Sequence, residues 1–155
     1  MFHESMALKQ KISEDLKTAM KAGETERRDV LRMLDSMIKN VEIEKMKKEE
    51  GLSDEEVLEV LNRAVKQRKD SMEQYGTGGR PELAEKEKKE IEIIMAYMPE
   101  QMSEEAVREA VKATIAQVGA TSKADIGKVM GPVMGKLKGK ADGSLVKKIV
   151  EESLQ

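Results

Sequence analysis

The chain has no cysteine, no tryptophan, a single histidine, and three aromatic residues in 155: Phe2, Tyr75 and Tyr97. Without cysteine there is no disulfide, thiolate metal site or thiol nucleophile, and a reducing compartment is expected. One histidine, His3, cannot supply the convergent ligands of a metal centre or the base of a serine or cysteine nucleophile. No catalytic residue, metal or cofactor is therefore expected. No run approaches the roughly 20 apolar residues of a membrane-spanning helix, and the first residues lack the basic-then-apolar order of a secretory leader. A soluble, cytoplasmic protein with no membrane contact is the resulting expectation. With the β-favouring aromatics nearly missing and strong helix formers abundant, the fold class expected is all-α.

Charge of one sign is also missing overall, since 28 basic and 30 acidic residues leave a net charge of −2. Attraction to a polyanion must then come from a local patch. The distribution is uneven enough to provide one. Residues 122–150 hold seven lysines against two acids, whereas residues 1–100 hold 19 basic and 23 acidic side chains.

Apolar residues recur at helical spacing along most of the chain. Leu8, Ile12, Leu16, Ala19 and Met20 form one stripe that stops at Gly23. Thr25 is placed to cap a second, long helix with Val30, Leu31, Leu34, Met37, Ile38 and Val41 on one face, fading into the charged tract 42–50. Ser53 and Glu56 have capping-box spacing and open a third helix that is expected to end near Tyr75. The glycine-rich run from Gly76 to Pro81 is expected to be a flexible connector, and a fourth helix runs from Pro81 to about Met98. Pro99 marks the boundary between an N-terminal helical subdomain, residues 1–98, and a C-terminal three-helix bundle, residues 99–155. In the bundle, Ser103 caps the first helix. Ser122 and Asp125 have the spacing of a second capping box, and Gly131-Pro132 is expected to kink or break the helix that follows. The last helix starts around Asp142 to Ser144.

Two clusters can carry binding chemistry. On the third helix, Arg63, Lys66, Arg68 and Lys69 form either a binding surface or a solvated face with Arg68 leaning onto apolar neighbours toward a carboxylate. Between the last two helices, Lys136, Lys138 and Lys140 surround Gly139 and precede Gly143, with Lys128 and Lys147 nearby. Glycines there let a backbone approach a phosphate, and lysines bring point charges suited to phosphates more than to base edges. The alternative is a merely solvated turn. Gly127-Lys128 is not a phosphate loop, because the required first glycine falls on Ser122 and no strand precedes it. Carboxylates such as Glu82 and Glu85 sit four residues before Lys86 and Lys89, the pattern of a solvated helix face.

The tract Val65-Lys66-Gln67-Arg68-Lys69-Asp70-Ser71, then Gly79-Arg80, Glu82-Leu83, Tyr97-Met98-Pro99-Glu100-Gln101, Gly127-Lys128-Val129-Met130 and Lys138-Gly139-Lys140-Ala141-Asp142-Gly143 resembles the YqeY family nearly end to end. The resemblance implies an all-helical fold whose C-terminal bundle is similar to the tail domain of GatB, a subunit of the glutamine-dependent Asp/Glu-tRNA amidotransferase. In that enzyme the tail contacts tRNA while amidation and glutaminase chemistry lie in other domains. It implies tRNA as a candidate partner of the region from about residue 100. It also implies the carbon–nitrogen ligase activity, with glutamine as amide donor, to which the family is often assigned. The chain has no recognisable ATP site, ammonia channel or glutaminase nucleophile to support that activity alone. Two roles compete: a non-catalytic tRNA-binding module, and a scaffold whose Met-rich faces dock an amidotransferase or another protein partner. Exposure of Met33, Met37, Met95 and Met98 would favour the scaffold.

Overall fold

Gly23 ends the first helix because it takes a positive φ of 72° that closes the last turn, its N–H reaching the Ala19 and Met20 carbonyls. In the computed structural model, which describes residues 7–154, this helix is α1 (Leu8–Ala22). It is followed by α2 (Thr25–Glu44), α3 (Asp54–Thr77), α4 (Pro81–Met95), α5 (Glu104–Val118), a 3-10 turn (Lys123–Asp125), α6 (Ile126–Leu137) and α7 (Gly143–Ser153). The protein is all-α, with no strand among the described residues. His3 and Phe2 lie outside them.

The chain divides into two units, residues 1–98 and 99–155. In the first, Ile12 of α1, Val30, Leu31, Leu34 and Ile38 of α2, Val57, Val60, Leu61, Ala64 and Val65 of α3, and Ile94 and Tyr97 at the end of α4 close one core. Each fully buried Leu or Ile among them contributes about 1.5–3 kcal/mol. Met33, Met37, Met95 and Met98 pack against this core as partly buried side chains. They are packing residues and do not form an open apolar face.

Polar ties complete the unit. Arg68, with 13% of its side chain exposed, donates from Nε to Glu90 (3.2 Å), from Nη1 to the Ala64 carbonyl (3.1 Å) and from Nη2 to the Met33 sulfur (2.8 Å). It joins α2, α3 and α4, so Arg68 belongs to the fold and drops out of the candidate patch on α3. The Tyr97 hydroxyl donates to Asp15 (2.6 Å) and accepts from Arg27 (3.1 Å). Burial, followed by the bond to Asp15, raises the phenol well above its ordinary value.

The ends of the helices follow the sequence expectations in some cases and differ in others. The Ser53–Glu56 capping box forms in both directions. The Ser53 N–H, then Lys45 and Lys47, hold the Glu56 carboxyl down to about 2. Thr25 is not a cap: it is the first helical residue, after Glu24, because Gly23 and Glu24 alone connect α1 to α2. The expected flexible connector is a tight turn. Helix α3 continues through Gly76 and Thr77, and the Arg80 N–H reaches back to the Tyr75 carbonyl (2.8 Å).

Helix α2 ends at an unusual residue. The Met46 N–H bonds to the Ile43 carbonyl (3.1 Å) and the Lys47 N–H to the Glu42 carbonyl (2.8 Å), the paired bonds of a left-handed helix stop. Glycine normally fills that left-handed position, but here it is Met46, with φ 56° and a side chain 92% exposed. The Cβ clash of that backbone costs about 1 kcal/mol, and the exposed side chain gains no burial to offset it. Met46→Gly is therefore expected to raise stability by about 1 kcal/mol. A higher denaturant midpoint at unchanged slope is the expected observation; an unchanged or lower midpoint would contradict backbone strain at Met46.

Candidate nucleic-acid interface

In the C-terminal unit, Val107 and Val111 of α5, Val129, Val133 and Leu137 of α6, and Val146, Ile149 and Val150 of α7, with Leu154, form a separate core. Ser103 caps α5 by accepting from the Ala106 N–H (3.1 Å), and Asp142 caps α7 by accepting from the Ser144 N–H (3.0 Å). The second capping box expected from sequence does not form. Asp125 instead accepts from the Thr121 N–H (2.9 Å), which lowers its pKa, and Ser122 makes no side-chain cap. The helix runs through Gly131-Pro132 without breaking: α6 extends from Ile126 to Leu137.

The basic turn lies between α6 and α7, and its backbone is fastened on the inner side. The Leu137 carbonyl accepts from the N–H groups of Lys140 (2.9 Å) and Ala141 (3.2 Å). Gly139 has φ 77° and is buried. Its carbonyl accepts from Gln101 Nε2 (2.9 Å), and the Lys140 carbonyl from the Met102 N–H (2.8 Å). Gly139 serves the turn itself, since a side chain would be strained at that positive φ. Around Gly143 space is tight, because a Cβ there would lie 3.3 Å from the Met134 methyl group.

The lysines face outward. Lys138 and Lys140 are exposed on either side of buried Gly139, and Lys128, Lys136 and Lys147 are exposed on α6 and α7. Lys136 reaches Gln117 (3.1 Å), and Lys128 lies 3.6 Å from Asp125 with 71% of its side chain exposed. Between Lys136 and Lys148 there are five lysines and one acid, Asp142. On the first unit, Arg63, Lys66 and Lys69 are exposed on α3.

Sequence inspection missed two features. Gln101 gave no signal of its own, because its partner lies 38 residues away. Gly127, Gly131 and Gly135 recur every four residues along α6, each facing open space. That spacing is visible in the sequence.

Among the described residues no three His, Asp or Glu side chains gather as a metal-binding group, and no helix is long and apolar enough to cross a membrane. Fold and site define a small, all-helical protein of two units that presents a lysine-bearing turn. The chain belongs to the YqeY family: the family described as Yqey-like protein matches residues 9–154.

Among its relatives is altered inheritance of mitochondria protein 41, mitochondrial, from Candida glabrata, 37% identical over 90 residues, which are 57% of this chain and 48% of that protein. The protein of the same name from Lachancea thermotolerans is 38% identical over 87 residues, 56% of this chain and 46% of that protein. Uncharacterized protein C22F3.15 of Schizosaccharomyces pombe is 30% identical over 87 residues, 56% of this chain and 71% of that protein. The match spans about half the length of the two mitochondrial relatives. Their names overturn the expectation of a cytoplasmic protein, which rested on absences alone, of cysteine, of a spanning apolar run and of a leader-like pattern, and such absences carry no information about compartment.

Proposed function

We propose that the C-terminal unit is a non-catalytic module that holds structured RNA, in the first instance tRNA, by its phosphate backbone. The observation that carries this role is the turn at 137–142, on which Lys138 and Lys140 are exposed while its backbone groups bond inward. A turn fixed in this way presents charge at little further entropic cost. Lys128, Lys136 and Lys147 extend the basic surface along α6 and α7. Aromatic platforms for stacking unpaired bases are nearly missing from the sequence, so recognition rests on shape and phosphates. The similarity to the GatB tail, which contacts tRNA, agrees with this role. With about four or five lysines engaged, log K against log salt should have a slope of roughly −3 to −4.5. Titrating tRNA at several salt concentrations tests it.

A second role, association with a protein partner such as an amidotransferase, is favoured by one observation: Ile43 and Met46 are exposed at the end of α2, at 61% and 92%. The methionines expected to form its docking face are packed against the core instead.

A further inference from the structure

The segment that starts the C-terminal unit does more than lead into α5. Gln101 is an exposed residue, yet its carboxamide nitrogen donates to two backbone carbonyls, that of Pro99 (3.0 Å) and that of Gly139 (2.9 Å). Holding a long, rotamer-rich side chain in one conformation at the surface costs conformational entropy, which these bonds offset. The neighbouring Met102 N–H adds the bond to the Lys140 carbonyl. The strap 99–102 therefore grips two successive carbonyls of the lysine turn, one by a side chain and one by the main chain.

The grip determines where the lysines point. Around Gly139 the chain alternates: Lys138 exposed, Gly139 buried, Lys140 exposed, Ala141 half-buried, Asp142 exposed. Both lysines are thus exposed on the two sides of the inward-held Gly139, within one tight turn closed by the Leu137 carbonyl. The alternation depends on Gly139 staying turned inward. Without Gln101, the buried Gly139 carbonyl loses its side-chain donor, and the turn can rotate so that only one of the two lysines reaches the ligand at a time.

We infer that Gln101 is a positioning residue for Lys138 and Lys140, setting the register in which both engage neighbouring phosphates of one RNA strand. This rests on the proposed role of the turn in RNA binding, and the test separates the two. Wild-type protein, Gln101→Ala and Gln101→Met are titrated with tRNA at several salt concentrations, and their unfolding midpoints are measured. Methionine keeps the length of glutamine and removes only the donor. Both variants are expected to bind about 5- to 10-fold more weakly at low salt, with a salt slope shallower by about one because one lysine fewer is engaged. Helicity and midpoint should stay near wild type, and Gln101→Ala should cause no further loss once Lys138 and Lys140 are alanine.

If the wild type does not bind, the RNA role of the turn itself falls, and the inference with it. If the wild type binds and both variants match it in affinity and slope, the role of Gln101 alone is overturned. Recovery of binding in Gln101→Met but not in Gln101→Ala would assign the effect to packing and likewise overturn it. So would weaker binding that tracks a lowered midpoint at unchanged slope.

Discussion

Replacing Lys138 and Lys140 together by alanine is expected to weaken tRNA binding by roughly two orders of magnitude at 50 mM salt, about tenfold for each phosphate left without its lysine. Each neutralised phosphate releases condensed counterions, so the salt slope should become shallower by about two at the same time. Both side chains are exposed and leave a turn whose inward backbone bonds do not depend on them. The substitutions should therefore leave the helices of this unit in place. The matching pair on α3, Arg63→Ala with Lys66→Ala, should leave the slope near wild type, since Arg68 is committed to Glu90 and that patch is sparser. Equal losses from the two double variants would show charge attraction spread over the molecule, with no site at the turn.

Glu42→Ala is expected to cost the N-terminal unit about 2–4 kcal/mol. Glu42 is 3% exposed and accepts from Lys9 Nζ (2.6 Å) and from the N–H of Leu52 (3.2 Å), a residue that is itself buried. Removing the carboxylate leaves that N–H without its partner and deprives Lys9 of its counter-ion. Lys9 keeps 34% of its side chain exposed and can turn to water, which holds the loss below that of a fully buried orphan charge. Glu42→Gln keeps an acceptor for Leu52 and removes the charge, so it should lose about half as much. Denaturant melts of the two variants give the comparison. If glutamine proves as damaging as alanine, the ion pair with Lys9 outweighs the Leu52 bond; if both stay within about 0.5 kcal/mol of wild type, the anchor is not a stabilising one.

How much of this was visible beforehand depends on how far each determinant reaches along the chain. The all-α class, the stop at Gly23 and the Ser53–Glu56 box rest on residues within four positions of one another, and periodicity and capping chemistry reveal them. The box supposed at Ser122 fails because Asp125 turns back to Thr121, so two equally local bonds compete and spacing does not choose between them. The run after Tyr75 resembles a loop by its glycines, yet the helix extends over Gly76 and Thr77, where the Thr77 hydroxyl donates to the Glu73 carbonyl (2.7 Å) and the Gly78 N–H to the Gln74 carbonyl (2.8 Å). Glu42 was hidden more deeply. In sequence it is one acid in a charged tract, and its ion-pair partner, Lys9, lies 33 residues away. At the candidate interface the lysines were legible as an excess of charge. The work of Gly139 was not, because it depends on Gln101, 38 residues earlier.

The most direct test of RNA binding by the C-terminal unit is the titration of tRNA with purified protein across a range of salt concentrations. Binding at low salt, falling with a log–log slope of roughly −3 to −4.5, is the expected result. Absence of binding at low salt, or an affinity indifferent to salt, would contradict it.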